Sequence, residues 1–378
     1  MRFAAWMILF VVQPWSPQST TDTPATFITV AGGGRLYYEE CGAGPNIVLL
    51  HDGLLHSVVW DDVWRPLCAK YHVLRYDRRG YGRSDAASVP FSPESDLAAL
   101  MQHVRMERAT LVGASSGTAL ALDFALAHPA QVEALFLIGP VVHGMRSSDY
   151  FLARGNAANA PLAANDPRAA ADNWAHDPFE VSGPRPEARK RIFEALAANP
   201  QNLRVAGQFE VRPIPPTVSR LAEVTAPTLA IVGEADIADV HAFAGAIQAS
   251  VPVVRREVWK GVGHLIALED PAQVVARLDA FIAIARRPTV AVARAALDTY
   301  AGSYALGGSV AIVALEHDRL VLRLNGDADV LLFAASPTRF FVRTTGTELE
   351  FERDDHGAVR ALIITNPNGT PIRCPRIG

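Results

Sequence analysis

The 378-residue sequence predicts an α/β fold with a doubly wound, mostly parallel sheet, followed by a separate all-β domain. Three observations predict it. From about residue 25 to 285, short apolar runs alternate with helical stretches, the order expected of parallel strands wound on both faces. Several of the apolar runs are continuous rather than alternating, as strands covered on both sides require. From Tyr300 onward turn-punctuated runs without helices take over, the texture of a sandwich or small barrel.

The chain opens with Arg2, an apolar run over 3–12, and a Ser/Thr/Pro tract that reaches Thr26. That is the charged region and short apolar region of an export signal, too short for an ordinary membrane helix. Residues 1–24 are read as signal peptide and linker, and the protein as exported, periplasmic or secreted, with no membrane span after processing. The alternative reading of the same pattern is an uncleaved membrane anchor. Candidate strands follow at 27–30, 36–40, 47–50, 72–76, 110–112, 134–138, 228–232 and 253–259. Candidate helices lie at 58–69, 93–106, 117–127 and 272–285. Residues 142–224 have no clear strand, are rich in Ala, Pro, Asn and Arg, and carry Ile192, Leu196 and Leu203 at helical spacing. An insertion of this length predicts a helical lid on a domain spanning 25–285. The all-β domain, 291–378, offers eight short runs at 303–305, 309–315, 319–324, 330–334, 340–344, 349–352, 359–364 and 372–374. They are separated by turn signals such as Asn325-Gly326, Asp355-His356-Gly357 and Asn368-Gly369.

Composition narrows the function. Hydrophobic residues make up 49% of the chain, enough for a sizeable core. A net charge of −4 leaves no electrostatic footprint for nucleic acid. The three cysteines, Cys41, Cys68 and Cys374, lack metal-ligand spacing, so no metal is expected.

The strongest local signal is Gly113-Ala114-Ser115-Ser116-Gly117, between an apolar run and a helical stretch. A nucleophile on a sharp strand-to-helix turn needs small residues on either side, because the backbone there is crowded. A hydroxyl is a poor nucleophile until a base takes its proton. Lys260-Gly261-Val262-Gly263-His264 supplies one, on the loop leaving the last strand of the first domain. The loop Gly233-Glu234-Ala235-Asp236 supplies a carboxylate to hold the imidazole tautomer, with Asp236 preferred and Glu234 and Asp239 as neighbouring alternatives. The order Ser115, Asp236, His264 is that of a triad built on a wound sheet. The loop His51-Asp52-Gly53-Leu54 is expected to contribute an oxyanion donor, the amide of Gly53 or Leu54, paired with that of Ser116. His56, His143 and Trp174 are candidate substrate-pocket residues, with Phe151, Phe193 and Phe209 as further apolar lining.

These residues together resemble the α/β-hydrolase superfamily over about 26–285. The segment Tyr76-Asp77-Arg78-Arg79-Gly80-Tyr81-Gly82-Arg83-Ser84 is similar to the family's loop after the fourth strand. The resemblance implies an eight-stranded sheet, a lid between strands six and seven, and hydrolysis without a cofactor. It implies a small-molecule ester or lactone as substrate. Acyl transfer to another acceptor (acyltransferase or perhydrolase use of the same triad), amide hydrolysis and a non-catalytic binding role are the alternatives. One departure is His51-Asp52-Gly53, where the family usually has His-Gly. The same topology puts the ends of strand two and of the first helix at the pole away from the site, so Cys41 and Cys68 are expected to pair in an oxidising compartment. The tail, through Leu297-Asp298-Thr299-Tyr300-Ala301-Gly302-Ser303-Tyr304 and Phe340-Phe341, is similar to the small β domain appended to some β-lactamase-like serine hydrolases. That likeness implies a lipocalin-like barrel without an activity of its own.

Overall fold

The computed structural model describes residues 26–205, 207–324 and 329–377; the expected export signal and the Asn325-Gly326 turn lie outside the described residues. The first domain is built on strands β1 (Thr26–Thr29), β2 (Arg35–Cys41), β3 (Asn46–Leu50), β4 (His72–Tyr76), β5 (Ala109–Ala114), β6 (Val132–Ile138), β7 (Thr228–Gly233) and β8 (Val254–Trp259). They form one sheet in the order β1-β2-β4-β3-β5-β6-β7-β8. β2 pairs antiparallel with β1 and β4, and every pair from β4 to β8 is parallel.

The continuous apolar runs follow from this layering. In β3, Ile47 and Leu49 enter the core on one face while Val48 and Leu50 enter the core on the other. Helices α1 (Asp61–Cys68), α2 (Pro93–His103) and α3 (Ser116–Ala127) precede the insertion. The insertion itself carries α4 (Asp149–Asn159), α5 (Pro167–Ala175) and α6 (Pro186–Ala198), between β6 and β7. After β7 come α7 (Ala238–Ser250), the short α8 (Ile266–Glu269) and α9 (Pro271–Ala285). α1 and α9 cover one face through Val63, Leu67, Leu278 and Phe281; α2, α3 and α7 cover the other through Leu97, Leu120, Phe124, Phe243 and Ile247.

Two elements differ from the sequence expectation. Helix α7 was not expected, because its apolar residues are mostly Ala and its two faces contrast weakly. The first predicted helix begins instead as a 3₁₀ turn over Ser57–Trp60 before α1.

Cys41 closes β2, Cys68 closes α1, and the two are joined in a disulfide with Cα atoms 5.4 Å apart. Cys374 is a buried free thiol. Among the described residues, no helix is long and apolar enough to cross a membrane.

The short helix α10 (Arg294–Asp298) leads into the second sheet. Its strands are β9 (Gly302–Leu306), β10 (Ser309–Glu316), β11 (Arg319–Leu324), β12 (Val330–Ala334), β13 (Arg339–Val342), β14 (Glu348–Arg353), β15 (Val359–Thr365) and β16 (Ile372–Pro375). They pair antiparallel in consecutive order. The ends meet through a Tyr304–Arg376 bridge and the Ile377 N–H on Ser303 O at 2.8 Å, giving a nearly closed barrel. Tyr300, Tyr304, Phe340 and Phe351 pack its interior. The Arg287–Glu348 ion pair at 2.9 Å and the Val290 N–H on Ala334 O at 3.0 Å tie the linker to it.

Candidate active site

The turn between β5 and α3 carries Ser115 at φ 49°, ψ −122°, a conformation that L-residues adopt only under constraint. The constraint is visible. Ser115 N–H donates to Ile138 O of the neighbouring β6 at 2.8 Å. A Cβ on Gly117 would lie 2.2 Å from Leu50 O, and one on Gly113 would lie 2.7 Å from Gly117 O, so both flanking positions exclude any side chain. Thr118 donates its hydroxyl to Ser115 O at 2.6 Å and accepts Val141 N–H at 2.8 Å. The turn is therefore fastened from both ends, with the N-terminus of α3 directed at the hydroxyl.

His264 sits on the loop after β8, and Asp236 on the loop after β7. Glu234 N–H donates to Trp259 O and Ala235 N–H to Val262 O, which locks the two loops together. The Asp236 side chain is fully buried; Oδ1 accepts the Ile237 N–H at 2.7 Å and Oδ2 meets His264 Nδ1 at 2.8 Å. Burial alone would lower the imidazole pKa. The carboxylates of Asp236, Glu180 and Asp52 outweigh it and raise the value to about 9. Ser115 and His264 line one cavity of about 240 Å³, together with Asp52, Gly53, Leu54, Phe151, Arg154, Trp174 and Glu180.

The loop after β3 is organised by Asp52 and Arg78. Asp52 Oδ1 accepts both Leu54 N–H and Leu55 N–H at 2.7 Å, so the Leu54 amide is already engaged and is corrected as an oxyanion candidate. Arg78 N–H donates to His51 Nε2 at 2.9 Å, which leaves the hydrogen on Nδ1 to bond Asp52 O at 2.7 Å. His51 stays neutral: burial, and then the Arg78 charge, hold its pKa well below the ordinary value. The Arg78 guanidinium also donates to Asp52 O and to Ser116 Oγ, each at 2.8 Å. A trans peptide is planar, so pinning Asp52 C=O on one side aims the Gly53 N–H to the other.

The remaining sequence candidates separate. Trp174 lines the cavity and donates its indole N–H to Asn159 Oδ1 at 2.8 Å. Phe151 lines it too, whereas Phe193 and Phe209 do not. His143 bonds Asp123 Oδ2 at 2.6 Å and faces a second, neighbouring cavity instead. His56 lies outside the Ser115 cavity, against Asn202. Glu234 accepts Gly261 N–H, and Asp239 holds Ser148 at the start of α4, so neither alternative carboxylate engages the imidazole.

Sequence reading missed three lid residues. Phe179 O accepts His264 N–H at 2.7 Å and Glu180 O accepts Leu265 N–H at 2.9 Å, so the lid clamps the histidine loop by its backbone. Arg154 of α4 pairs with Asp177 at 2.6 Å and with Glu180 inside the cavity wall. No sequence signal marks them, because Arg is abundant throughout and backbone contacts carry no residue signature.

Comparison with known proteins agrees with the fold of the first domain. Residues 47–278 match the model of the alpha/beta hydrolase family, and 286–374 match a domain of unknown function (DUF3471). A pimeloyl-[acyl-carrier protein] methyl ester esterase of Nitrosospira multiformis is 26% identical over 267 residues, 66% of this chain and 99% of the relative. Among solved structures, a thermophilic esterase from Thermogutta terrifontis aligns with a TM-score of 0.58 at 21% identity, covering 69% of this chain and 99% of that one. The enol-lactonase from Burkholderia xenovorans aligns with a TM-score of 0.57 at 19% identity, covering 68% and 100%.

Proposed function

The chain belongs to the alpha/beta hydrolase family, and on that premise we propose that it hydrolyses carboxylic esters, open-chain or lactone, by acyl transfer through Ser115. The observation that carries this reading is a strained serine sharing one cavity with a histidine whose Nδ1 meets a buried carboxylate at 2.8 Å. The names of the related esterase and of the lactonase neighbour support an ester bond as the target.

In this mechanism Ser115 Oγ attacks the carbonyl carbon while His264 Nε2 takes its proton. Asp236 holds the Nδ1–H tautomer and stabilises the imidazolium that forms. The amides of Gly53 and Ser116 receive the oxyanion; Arg78 supports both, through the carbonyl of the Gly53 peptide and the Ser116 hydroxyl. His264 then returns the proton to the departing alcohol oxygen, leaving an acyl-serine. A water molecule, deprotonated by the same imidazole, releases the acid and restores the hydroxyl.

Ser115→Ala should lower ester turnover by up to about 10⁶-fold, by analogy with other triads. A fluorophosphonate probe should label the parent chain and not the variant. Full activity in Ser115→Ala would overturn the assignment.

Two further readings accompany it. The Cys41–Cys68 bridge supports export, since structural disulfides persist in oxidising compartments. The consecutive strand order of the barrel supports a lipocalin-like description of the second domain.

A further inference from the structure

Building on the ester-hydrolase reading, we propose that Arg154 and Glu180 form a recognition pair for a secondary amide that the substrate carries a few bonds from the carbonyl attacked. The mechanism above uses neither side chain, yet both line the cavity that holds Ser115 and His264. Arg154 is held before any ligand arrives. Its Nε donates to Asp177 Oδ2 at 2.6 Å, its Nη2 donates to Glu180 Oε1, and its guanidinium packs among Trp174, Phe179 and Phe151 at 5.3, 5.5 and 5.9 Å from the ring centres. A group so fixed gives up little entropy on binding a ligand.

Each partner keeps one polar atom in reserve. Among the described residues, Arg154 Nη1 meets no protein acceptor and Glu180 Oε2 meets no protein donor, although the two side chains are only 12% and 7% exposed. Both residues line the cavity that holds Ser115 and His264, within reach of a bound group. A donor and an acceptor thus stand side by side in a confined site, and polar groups there select ligands that satisfy both.

Charge decides which ligand fits. One guanidinium faces two carboxylates, Asp177 and Glu180, so no surplus positive charge is offered to a carboxylate or phosphate. An ammonium group would meet Glu180 but also the Arg154 cation beside it. A neutral group with a C=O for Arg154 and an N–H for Glu180 satisfies the pair without introducing charge. A secondary amide has that pattern; a plain alkyl chain has neither half of it.

The test compares N-acetylglycine methyl ester with methyl pentanoate, which have the same acyl chain length, by pH-stat titration. Each kcat/KM is normalised to that ester's own hydroxide-catalysed rate. The full-length protein should prefer the amide-bearing ester by roughly tenfold to a hundredfold. Arg154→Lys keeps the positive charge that Asp177 and Glu180 require but loses the planar Nη1 donor, and it should collapse the preference. A thermal melt of the variant checks that the lid still folds. No preference in the parent chain, or a preference that survives in Arg154→Lys, overturns the proposal. So does a chain whose Ser115 is labelled by fluorophosphonate but which cleaves neither ester. Absence of both labelling and turnover instead removes the hydrolase reading on which this one rests.

Discussion

The two domains each contain eight strands, ordered β1-β2-β4-β3-β5-β6-β7-β8 in one and consecutively from β9 to β16 in the other. In the first, every parallel crossover returns the chain to the same end, so the loops leaving β3, β5, β7 and β8 all emerge at one edge. Asp52, Ser115, Asp236 and His264 meet there although they are far apart in sequence. In the second, antiparallel connections alternate between ends, and the core is made of aliphatic side chains around the Tyr300, Tyr304, Phe340 and Phe351 rings rather than of converging polar groups. The same number of strands therefore gives a cluster of polar groups at one edge in the first case and an apolar core in the other. Connection type, more than composition, decides where polar groups can collect.

The largest effect is expected from damaging the barrel and following the site. Phe351 is 2% exposed, stacks on Tyr300 with ring centres 4.2 Å apart, and meets Phe340 at 5.6 Å. Phe351→Ala should destabilise the second domain by about 3–5 kcal/mol. If the domains are as separate in function as in topology, calorimetry will show an earlier transition while turnover of a small ester at 25 °C is little changed. Turnover that fell together with that transition would show that the barrel supports the catalytic edge.

A second substitution acts on the catalytic edge of the first domain. Arg78 joins Asp52 O to Ser116 Oγ and so links the two loops that offer the Gly53 and Ser116 amides. Arg78→Met should lower kcat by roughly tenfold to a hundredfold with little effect on KM. The loss stays below that of deleting a donor outright, because His51 Nδ1 still holds Asp52 O. A raised KM at unchanged kcat would instead make Arg78 a substrate-binding group.

What the sequence made legible follows the same division. The Ser115 turn was readable because its requirements are local: a strand, a helix, and two positions without room for Cβ atoms. His264 and Asp236 were readable from their places after the last two strands. The Leu54 amide was misjudged, because nothing in His51-Asp52-Gly53-Leu54 announces that the Asp52 carboxylate folds back onto its own loop. His143, a candidate for the substrate pocket, faces the neighbouring cavity instead, where its ring meets the Asp123 carboxylate. Arg154 and Glu180 depend on how the lid lies over the sheet, and such packing between distant segments has no periodicity to read. In the barrel the turn signals sufficed, because consecutive antiparallel strands need little more than correct turns.

The smallest effect concerns protons, and it tests whether the lid reaches the imidazole by charge as well as by backbone. With the His264 pKa at about 9, the imidazole is mostly protonated at pH 7 and only a small fraction is competent as a base. The kcat/KM for an ester should rise about tenfold per pH unit below that value and level off above it. Asp236, Glu180 and Asp52 all favour the imidazolium, with Asp236 foremost. Glu180→Gln removes one of these negative charges and leaves Arg154 paired with Asp177. The imidazolium is then less favoured, its pKa falls, and the rising limb moves to lower pH. At pH 7 the variant should therefore operate at a larger fraction of its own plateau than the parent chain. Among the described residues no barrel carboxylate lines the cavity, so neutralising Asp329 or Glu352 should leave the limb in place. A limb equally unmoved in Glu180→Gln would mean that the lid holds the histidine loop through its carbonyls alone.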